Sequence, residues 1–274
     1  MIKRVIHIAD IHLPNDERNR PYSEMLKKFL KQVYDDVKDY KQDEVRIVIV
    51  GDIFHNKIKT TNEARALFHI MLNFLNKISN VLIITGNHDM LENNKDRYDS
   101  LSPTFDIEGA YENVTYVDKI LKYKSGYIID DNIIWALYSM HDNFDKPNIS
   151  NLEIDEQTKV IGLYHGEVIG AVTDIGRMSD KGVSGEYFDG CDCVMAGHIH
   201  KFQTIKKNGI PIVYSGSLFQ QGQGENVSGH GYVIWDIENM SYSHCEVDND
   251  YRTYKFQISS YDDVNNNTER ILNL

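Results

Sequence analysis

Cysteine is scarce in this sequence, and long apolar runs are missing. Three cysteines occur among 274 residues, at positions 191, 193 and 245, and so small and odd a number predicts reduced thiols in a reducing compartment. The longest apolar runs, residues 45–50 and 81–84, are strand-sized and far shorter than the ~18 residues of a membrane span. The first residues enter a strand-like run without a signal-peptide layout. We therefore expect a cytoplasmic protein that does not enter the membrane.

Positive charge is also in short supply. The chain has 29 basic and 41 acidic residues, for a net charge of −12, which disfavours sequence-independent binding of nucleic acid through a basic patch. A nucleic-acid substrate stays possible if metal ions supply the positive charge locally. The content of 41% hydrophobic and 26% charged residues is typical of a globular protein and argues against disorder.

The first half of the chain alternates strand and helix patterns. Strands are predicted over residues 2–9, 45–50 and 81–84, with an amphipathic helix of about five turns over 22–40 between the first two. A second helix is predicted over 64–78, where Thr60 and Glu63 stand at the spacing of a capping box. This alternation is typical of parallel βαβ units.

The second half of the chain is rich in predicted strands. They cover residues 114–117, 127–129, 133–138, 160–164, 193–196, 212–214, 232–235 and 254–258, with hairpin turns at 130–132 and 207–209. Both halves together predict an α/β fold of two stacked mixed β-sheets flanked by helices. We expect one domain over 1–249 and a C-terminal tail over 250–274 that could begin a further module.

Polar clusters follow five of the predicted strands. Ligands bind at the carboxyl ends of strands in α/β sheets, and the Asp-x-His and His-x-His spacings direct both side chains to one side of an extended segment. Oxygen and imidazole donors without a thiolate suit two divalent ions such as Mn²⁺, Fe²⁺ or Zn²⁺. A single histidine near a strand end is usually structural, but five such clusters are not. The clusters are Asp10-Ile11-His12, Gly51-Asp52-Ile53-Phe54-His55, Gly86-Asn87-His88-Asp89, His165-Gly166-Glu167 and Gly197-His198-Ile199-His200.

The order of these clusters resembles the calcineurin-like metallophosphoesterase superfamily. The finer pattern is similar to its DNA-nuclease branch of recombination and double-strand-break-repair exonucleases, which includes bacterial SbcD and phage recombination nucleases. His55 stands where protein phosphatases of the superfamily have Asp-Arg-Gly, and Tyr214-Ser215-Gly216-Ser217 followed by Gly224-Glu225 resembles the branch's late glycine-serine loop. The resemblance covers residues 2–247 and implies the four-layer α/β/β/α fold of the superfamily.

The resemblance implies a role for each matching residue. Asp52 would bridge two divalent ions, and Mn²⁺ is the metal that we expect. His88 would contact the scissile phosphate and donate a proton to the leaving oxygen, and His55 would position substrate. Asp89 would be an outer partner that orients a histidine. One ion would be held by Asp10, His12, Asp52 and His200, and the other by Asp52, Asn87, His165 and His198.

The implied function is hydrolysis of DNA phosphodiesters, with 3′-to-5′ double-strand exonuclease and single-strand endonuclease activity. Members of the branch continue into a DNA-capping region and a segment that docks an SMC-type ATPase, SbcC-like, but this sequence ends at Leu274. The resemblance also implies a homodimer, because the family's dimer uses helices in this region. The apolar arc of the second helix could therefore be a dimer seam, or it could pack in the core. That arc contains Leu67, Phe68, Met71, Leu72 and Leu75.

Two other functions compete with the nuclease interpretation. A small-molecule phosphodiesterase or phosphatase would need residues 90–110, 141–156 and 166–190 folded over the metals, whereas a polymer needs an open groove. A metal-free scaffold on the same fold would have lost ligands, and this sequence has lost none of them.

Overall fold

The computed structural model describes residues 1–16, 19–91, 97–107, 109, 111–152, 154–256, 258–260, 263–264 and 268. Two long helices, α1 (Asn19–Val37) and α2 (Asn62–Ile78), and two short ones, α3 (Ser102–Phe105) and α4 (Val117–Ile120), occur in these ranges. The strands are β1 (Arg4–Ile8), β2 (Val45–Val50), β3 (Asn80–Ile84), β4 (Val114–Tyr116), β5 (Gly126–Asp130), β6 (Ile133–Tyr138), β7 (Lys159–His165), β8 (Cys193–Gly197), β9 (Gln203–Lys207), β10 (Ile210–Tyr214), β11 (Gly231–Asp236) and β12 (Ser241–Glu246).

The strands form two mixed six-stranded sheets. The first has the order β12-β11-β1-β2-β3-β4 and the second has the order β5-β6-β7-β8-β10-β9. Strands β1 to β4 of the first sheet are parallel to one another, as are β6, β7, β8 and β10 in the second. The predicted fold class of two stacked mixed sheets with flanking helices is confirmed. No helix in the described ranges is long and apolar enough to cross a membrane.

The alternation along β1 explains why the sheets stack. Ile6 and Ile8 pack with the core beneath the helices, whereas Val5 and Ala9 pack with the core that the other sheet completes. Neighbouring side chains of a strand point to opposite faces, so a strand that is apolar at nearly every position must be covered on both sides. One layer of helices and one second sheet provide that cover.

The sequence predicts a cap at Thr60 and helical residues from 64, but the helix begins at Asn62, directly after Thr61. Thr61 caps the helix, and its hydroxyl oxygen accepts a hydrogen bond from the Ala64 backbone N–H at 3.2 Å. The apolar arc of this helix is buried within the chain, with Leu67 only 6% exposed and Phe68 fully buried. Core packing therefore accounts for the arc, and its residues are not available for a dimer seam.

One predicted strand was wrong, and two observed strands were not predicted. The described residues of 254–258 form no strand, Tyr254 and Ile258 are exposed, and residue 257 lies outside the described part. The two strands without a sequence prediction, β9 and β12, both lie at the edge of a sheet. Edge strands face solvent and carry polar residues such as those of Gln203–Lys207, so their apolar signal is weak. The predicted Lys207-Asn208-Gly209 turn is the signal that indicates β9.

His7 is fully buried on the face of β1 that also carries Val5 and Ala9. Burial disfavours the charged imidazole and lowers its pKa from 6.5 to about 3. The folded protein therefore keeps His7 neutral at mildly acidic pH, whereas the unfolded chain takes up a proton below pH 6.5. The contribution of His7 to the free energy of unfolding therefore falls as the pH drops through that range.

Replacement of His7 by phenylalanine is expected to flatten this pH dependence. Between about pH 7.5 and about pH 5.5, the wild-type protein should lose about 1.4 kcal/mol more of its free energy of unfolding than His7→Phe does. Urea unfolding at both pH values, with a chelator present, measures the difference. An equal pH dependence in the two proteins would contradict this assignment.

Candidate metal centre

All seven predicted metal ligands meet at one edge of the two sheets. Asp10 and His12 follow β1, Asp52 follows β2, Asn87 follows β3, His165 ends β7, and His198 and His200 follow β8. Because the carboxyl ends of the parallel strands share this edge, residues nearly 190 positions apart in the chain become neighbours. The carboxylates of Asp10 and Asp52 are almost completely buried.

The first group of ligand atoms comes from Asp10, His12, Asp52 and His200. His12 Nε2 lies 3.0 Å from His200 Nε2 and 3.6 Å from Asp52 Oδ2. One donor atom each from Asp10, His12 and His200 lies within 4.8 Å of the others. These are the four residues predicted to hold one ion.

The second group comes from Asp52, Asn87, His165 and His198. His165 Nε2 lies 3.3 Å from Asp52 Oδ1 and 3.2 Å from Asn87 Oδ1. His198 Nδ1 lies 2.8 Å from the same Asn87 oxygen. The two oxygens of Asp52 therefore face different groups, as a bridging carboxylate requires.

These separations fit a pair of divalent ions. Donor atoms that bind one ion at about 2.1 Å, at roughly right angles, lie about 3 Å from one another. The distances of 2.8 to 3.6 Å within the groups agree with this value. The donors are carboxylate, amide and imidazole groups without a thiolate, a set that suits Mn²⁺, Fe²⁺ or Zn²⁺.

The backbone turns sharply at four of the predicted ligands. The φ angles of Asp10, His12 and Asp52 are 51°, 49° and 53°, and that of His198 is 95°. Positive φ is uncommon for residues other than glycine and costs about 1–3 kcal/mol at each position where the surroundings impose it. The sheet edges hold these residues in that conformation, which directs their side chains to one point.

Hydrogen bonds outside the ligand groups fix the orientation of the rings. His165 Nδ1 donates to the Val50 carbonyl at 2.8 Å, which leaves Nε2 facing Asp52. His200 Nδ1 lies 2.8 Å from Glu225 Oε1. The carboxylate of Asp10 accepts a hydrogen bond from the His198 backbone N–H at 2.9 Å.

Asp89 does not orient a histidine, as the sequence predicts, but holds two loops together. Its carboxylate accepts hydrogen bonds from the backbone N–H groups of Ile53, Phe54 and Gly86 at 3.0 to 3.1 Å. Asp89 is fully buried between the loops that carry Asp52 and Asn87. Its oxygens therefore meet turned backbone amides before they could reach a ring.

Opposite charges are concentrated in the ligand groups. Burial raises the pKa of Asp10 to about 7, and the nearby Asp52 carboxylate adds to the effect. Asp52 is itself buried, yet His165 and His12 hold its pKa well below the usual value. Burial disfavours a charged His165, but the carboxylates of Asp52 and Asp10 outweigh it and raise its pKa to about 9. Such a cluster favours cations, so metal ions compete there with protons.

The two predicted catalytic histidines line the cleft over the ligand groups. The His88 backbone N–H donates to Asp52 Oδ1 at 2.7 Å, and its ring Nδ1 donates to the His55 carbonyl at 2.7 Å. The ring centroid of His12 lies 4.8 Å from the ring centroid of His88 and 5.7 Å from that of His55. The His88 ring therefore lies directly beside the first ligand group. A donor atom of His88 also lies within 4.8 Å of donor atoms of His12 and Asp52, the spacing of a possible ligand.

Three acidic residues beside the centre received no role from the sequence. Glu225 contacts His200, Glu167 Oε1 lies 3.8 Å from His198 Nε2, and Asp174 shares a compact group with His200 and Glu225. Glu167 and Glu225 stand in polar motifs of the sequence, and this position is the signal that could have pointed to them. Asp174 has none, because its loop reaches the centre only through the fold.

Gly86 leaves space that the centre needs. A Cβ atom at this position would overlap Asp52 Oδ1 and the Asp52 backbone nitrogen. We expect Gly86→Ala to displace Asp52 and to lower Mn²⁺ affinity at least about tenfold, as measured by calorimetric titration. Gly126→Ala is the matched control, since its Cβ would meet only the flexible end of Leu121 at 3.3 Å. Equal Mn²⁺ affinity in the two variants would show that Asp52 tolerates the methyl group.

Comparisons with known proteins place the sequence in context. A family model described as the calcineurin-like phosphoesterase superfamily domain matches residues 4–240. The uncharacterized protein R555 of Acanthamoeba polyphaga mimivirus is 35% identical over an alignment of 258 residues, and the match covers 91% of this chain and 18% of that protein. The chain therefore spans less than a fifth of the length of this relative.

Solved structures are similar at low sequence identity. An archaeal phosphodiesterase aligns with a TM-score of 0.45 and 12% identity, over 89% of this chain and 99% of its own. The hypothetical protein PH1004 from Pyrococcus horikoshii OT3 aligns with a TM-score of 0.44 and 14% identity, over 91% of this chain and 89% of its own.

Proposed function

The chain belongs to the calcineurin-like phosphoesterase superfamily, and we propose that its centre hydrolyses the phosphodiester bonds of DNA. Members of the family use a pair of metal ions, so the general activity is that of a metal-dependent phosphodiesterase. More specifically, we propose that the protein is a nuclease of recombination and repair, with 3′-to-5′ exonuclease activity on duplexes and endonuclease activity on single strands. The motif order described above supports this branch.

The shape of the cleft is the observation that carries the DNA proposal. The cleft over the centre has a volume of about 240 Å³, below the roughly 300–1,000 Å³ of pockets that enclose a small ligand. Its lining residues are His12, Asp52, His55, Asn87, His88, His198, His200 and Gln221. No described residue of 90–110 or 141–156 is among them, and the segment 166–190 approaches the centre with Glu167 and Asp174 beside His198 and His200. The small volume of the cleft supports a substrate that presents a phosphate to the centre and extends beyond it.

Charge explains how an acidic protein could attract such a substrate. Two divalent ions bring four positive charges, against two negative charges from Asp10 and Asp52, and Asn87 is a neutral ligand. The ions and the residues that would bind them then carry a positive charge on balance, although the chain has a net charge of −12 and three further carboxylates lie beside His198 and His200. When bound, a pair of divalent ions supplies an activated water and stabilises the charge of an in-line displacement. Asp52 holds the two halves of the centre in register, and His88 donates the proton that the leaving oxygen needs.

A small phosphodiester is the second candidate substrate. Glu167, Asp174 and Glu225 lie beside His198 and His200, and these carboxylates repel an extended polyanion that would cross that side of the cleft. A substrate with a single phosphodiester would avoid them. DNA must instead enter over His55 and His88.

An assay with two substrates separates the candidates. We expect a labelled DNA duplex to be cleaved in Mn²⁺, with a much weaker reaction in Mg²⁺, which binds imidazole-rich sites poorly, and none with a chelator. A cyclic dinucleotide assayed in parallel should be cleaved slowly. Hydrolysis of the cyclic dinucleotide without DNA cleavage would replace the nuclease proposal by the small-molecule one.

The remaining proposals concern partners. DNA is the proposed substrate, an SMC-type ATPase is the proposed partner in a larger complex, and a second copy of this chain would form a homodimer. The buried arc of α2 is occupied by the core, so a homodimer that uses the helices of this region would use the outer face of α1 and α2. Tyr34 and Ile70 on that face are 47% and 48% exposed.

Two histidine variants test the division between chemistry and metal binding. His88→Gln should keep two bound metal ions but lower turnover by at least about a hundredfold, as expected when a general acid is lost. His198→Ala should empty or loosen one ion site, because His198 Nδ1 faces Asn87 in the second ligand group. Metal content and nuclease rate are measured on both proteins.

The outcome is decided by metal stoichiometry and by the leaving group. A substrate whose leaving group has a low pKa no longer needs the proton, so it should restore His88→Gln but not His198→Ala. Loss of metal from His88→Gln, with both ions kept by His198→Ala, would reverse the assigned roles and make His88 a ligand.

A further inference from the structure

We propose that Glu225 is a positioning residue that orients His200 and makes the ion site of Asp10, His12, Asp52 and His200 the tighter of the two. This inference rests on the metal centre of the proposed function but not on the identity of the substrate. No residue role for Glu225 follows from the sequence, where it stands 25 positions after His200.

The His200 ring joins Glu225 to the ligand group. Its Nδ1 lies 2.8 Å from Glu225 Oε1, and its Nε2 lies 3.0 Å from His12 Nε2. An ionised carboxylate only accepts hydrogen bonds, so Nδ1 must carry the proton that it donates. In the neutral ring, Nε2 then keeps its lone pair and faces the place where an ion would bind.

Glu225 is itself held in place. Its second oxygen, Oε2, accepts a hydrogen bond from the Gln221 backbone N–H at 2.6 Å, and the side chain is only 12% exposed. The Gln220 side chain also donates to the Glu225 carbonyl at 3.4 Å. Both carboxylate oxygens therefore have a fixed partner, and the loop around 220–225 acts as a rigid support for His200.

Two other ligand histidines have weaker support. His165 Nδ1 donates to the neutral carbonyl of Val50. His198 Nε2 lies 3.8 Å from Glu167 Oε1, too far for a hydrogen bond, and both side chains are partly exposed. A carboxylate partner increases the basicity of a metal-binding imidazole more than a carbonyl does. The carboxylate pair therefore distinguishes His200 from His165 and His198.

The negative charge of the ligands points in the same direction. Asp10 and Asp52 both contribute to the group that contains His200, whereas the other group has Asp52 and the neutral Asn87. With Glu225 behind His200, the first group faces three carboxylates at short range. A divalent cation should bind there more tightly than in the second group.

Stepwise binding of Mn²⁺ to the metal-free protein tests the proposal. We expect two ions per wild-type chain with clearly different affinities. Glu225→Ala should weaken the tighter step by about 10- to 100-fold and leave the weaker step unchanged. Glu225→Gln keeps a hydrogen-bond acceptor without the charge, so the tighter step should lose less Mn²⁺ affinity in this variant than in Glu225→Ala. Calorimetric titration gives the affinities, and elemental analysis of the dialysed proteins gives the stoichiometry.

A remote carboxylate provides the matched control. Glu186 is exposed and lies 3.0 Å from Lys207 Nζ, and we expect Glu186→Gln to leave both Mn²⁺ affinities unchanged. A crystal structure of metal-free Glu225→Ala should show the His200 ring rotated away from His12. If Glu225 only stabilised the fold, its replacement would lower both Mn²⁺ affinities together. Loss of affinity at the tighter step alone would exclude that explanation.

Each remaining outcome has one meaning. If the wild-type protein binds no Mn²⁺, the metal centre fails, and the proposed function with it. If the wild-type protein binds two ions and the tighter step is the same in Glu225→Ala, the role of Glu225 is overturned while the proposed function stands. If Glu225→Ala does not fold, Glu225→Gln carries the test, and an unchanged tighter step in that variant overturns the proposal.

Discussion

The centre depends on one buried carboxylate that faces two ways. Asp52 directs Oδ2 to His12 and Oδ1 to His165, so a single side chain fixes the distance between the two ligand groups. Burial alone would protonate this carboxyl, but the neighbouring imidazoles hold its pKa well below the usual value. The backbone N–H of His88 donates to the same carboxylate, which ties the proposed proton donor to the metal bridge.

The space around Asp52 is made by glycine and by an amide clamp. Gly86 allows the third loop to pass directly against the Asp52 side chain. Asp89 then binds the amides of Ile53, Phe54 and Gly86, and this locks the second loop to the third. The close approach at Gly86 and the hydrogen bonds of Asp89 hold the loop ends in place, where the positive φ angles store strain. Such strain persists only when the surrounding structure enforces it, and here two stacked sheets do so.

The charges around the centre differ on its two sides. His55 and His88 border one side of the cleft, whereas Glu167, Asp174 and Glu225 lie beside His198 and His200 on the other. The acidic side supports the ligand rings at the cost of repelling a polyanion. In the proposed function, a phosphate would approach over His55 and His88, where the proposed proton donor lies. The carboxylates beside the ligand rings and the proposed proton donor thus belong to different parts of one cleft.

The sequence alone predicted the alternation of strands and helices in the first half and the two-sheet fold class, and it singled out seven candidate ligands. This was possible because each polar cluster is covalently adjacent to an apolar run, and a parallel sheet brings the ends of such runs together. Local pattern was enough wherever a strand is buried on both faces, as for Val45–Val50. It failed for the edge strands β9 and β12 and at 254–258, where solvent exposure weakens the link between hydrophobicity and structure.

Only the tertiary structure decided which partners the ligands have. The sequence predicts that Asp89 orients a histidine, yet its oxygens meet backbone amides of a loop that begins more than 30 positions earlier. The contact of Glu225 with His200 and the place of Asp174 beside it depend on how two loops pack at one sheet edge. Spacing along the chain carries no information about such contacts. Their distances are set by the stacking of the two sheets, so they follow from the fold and not from any motif.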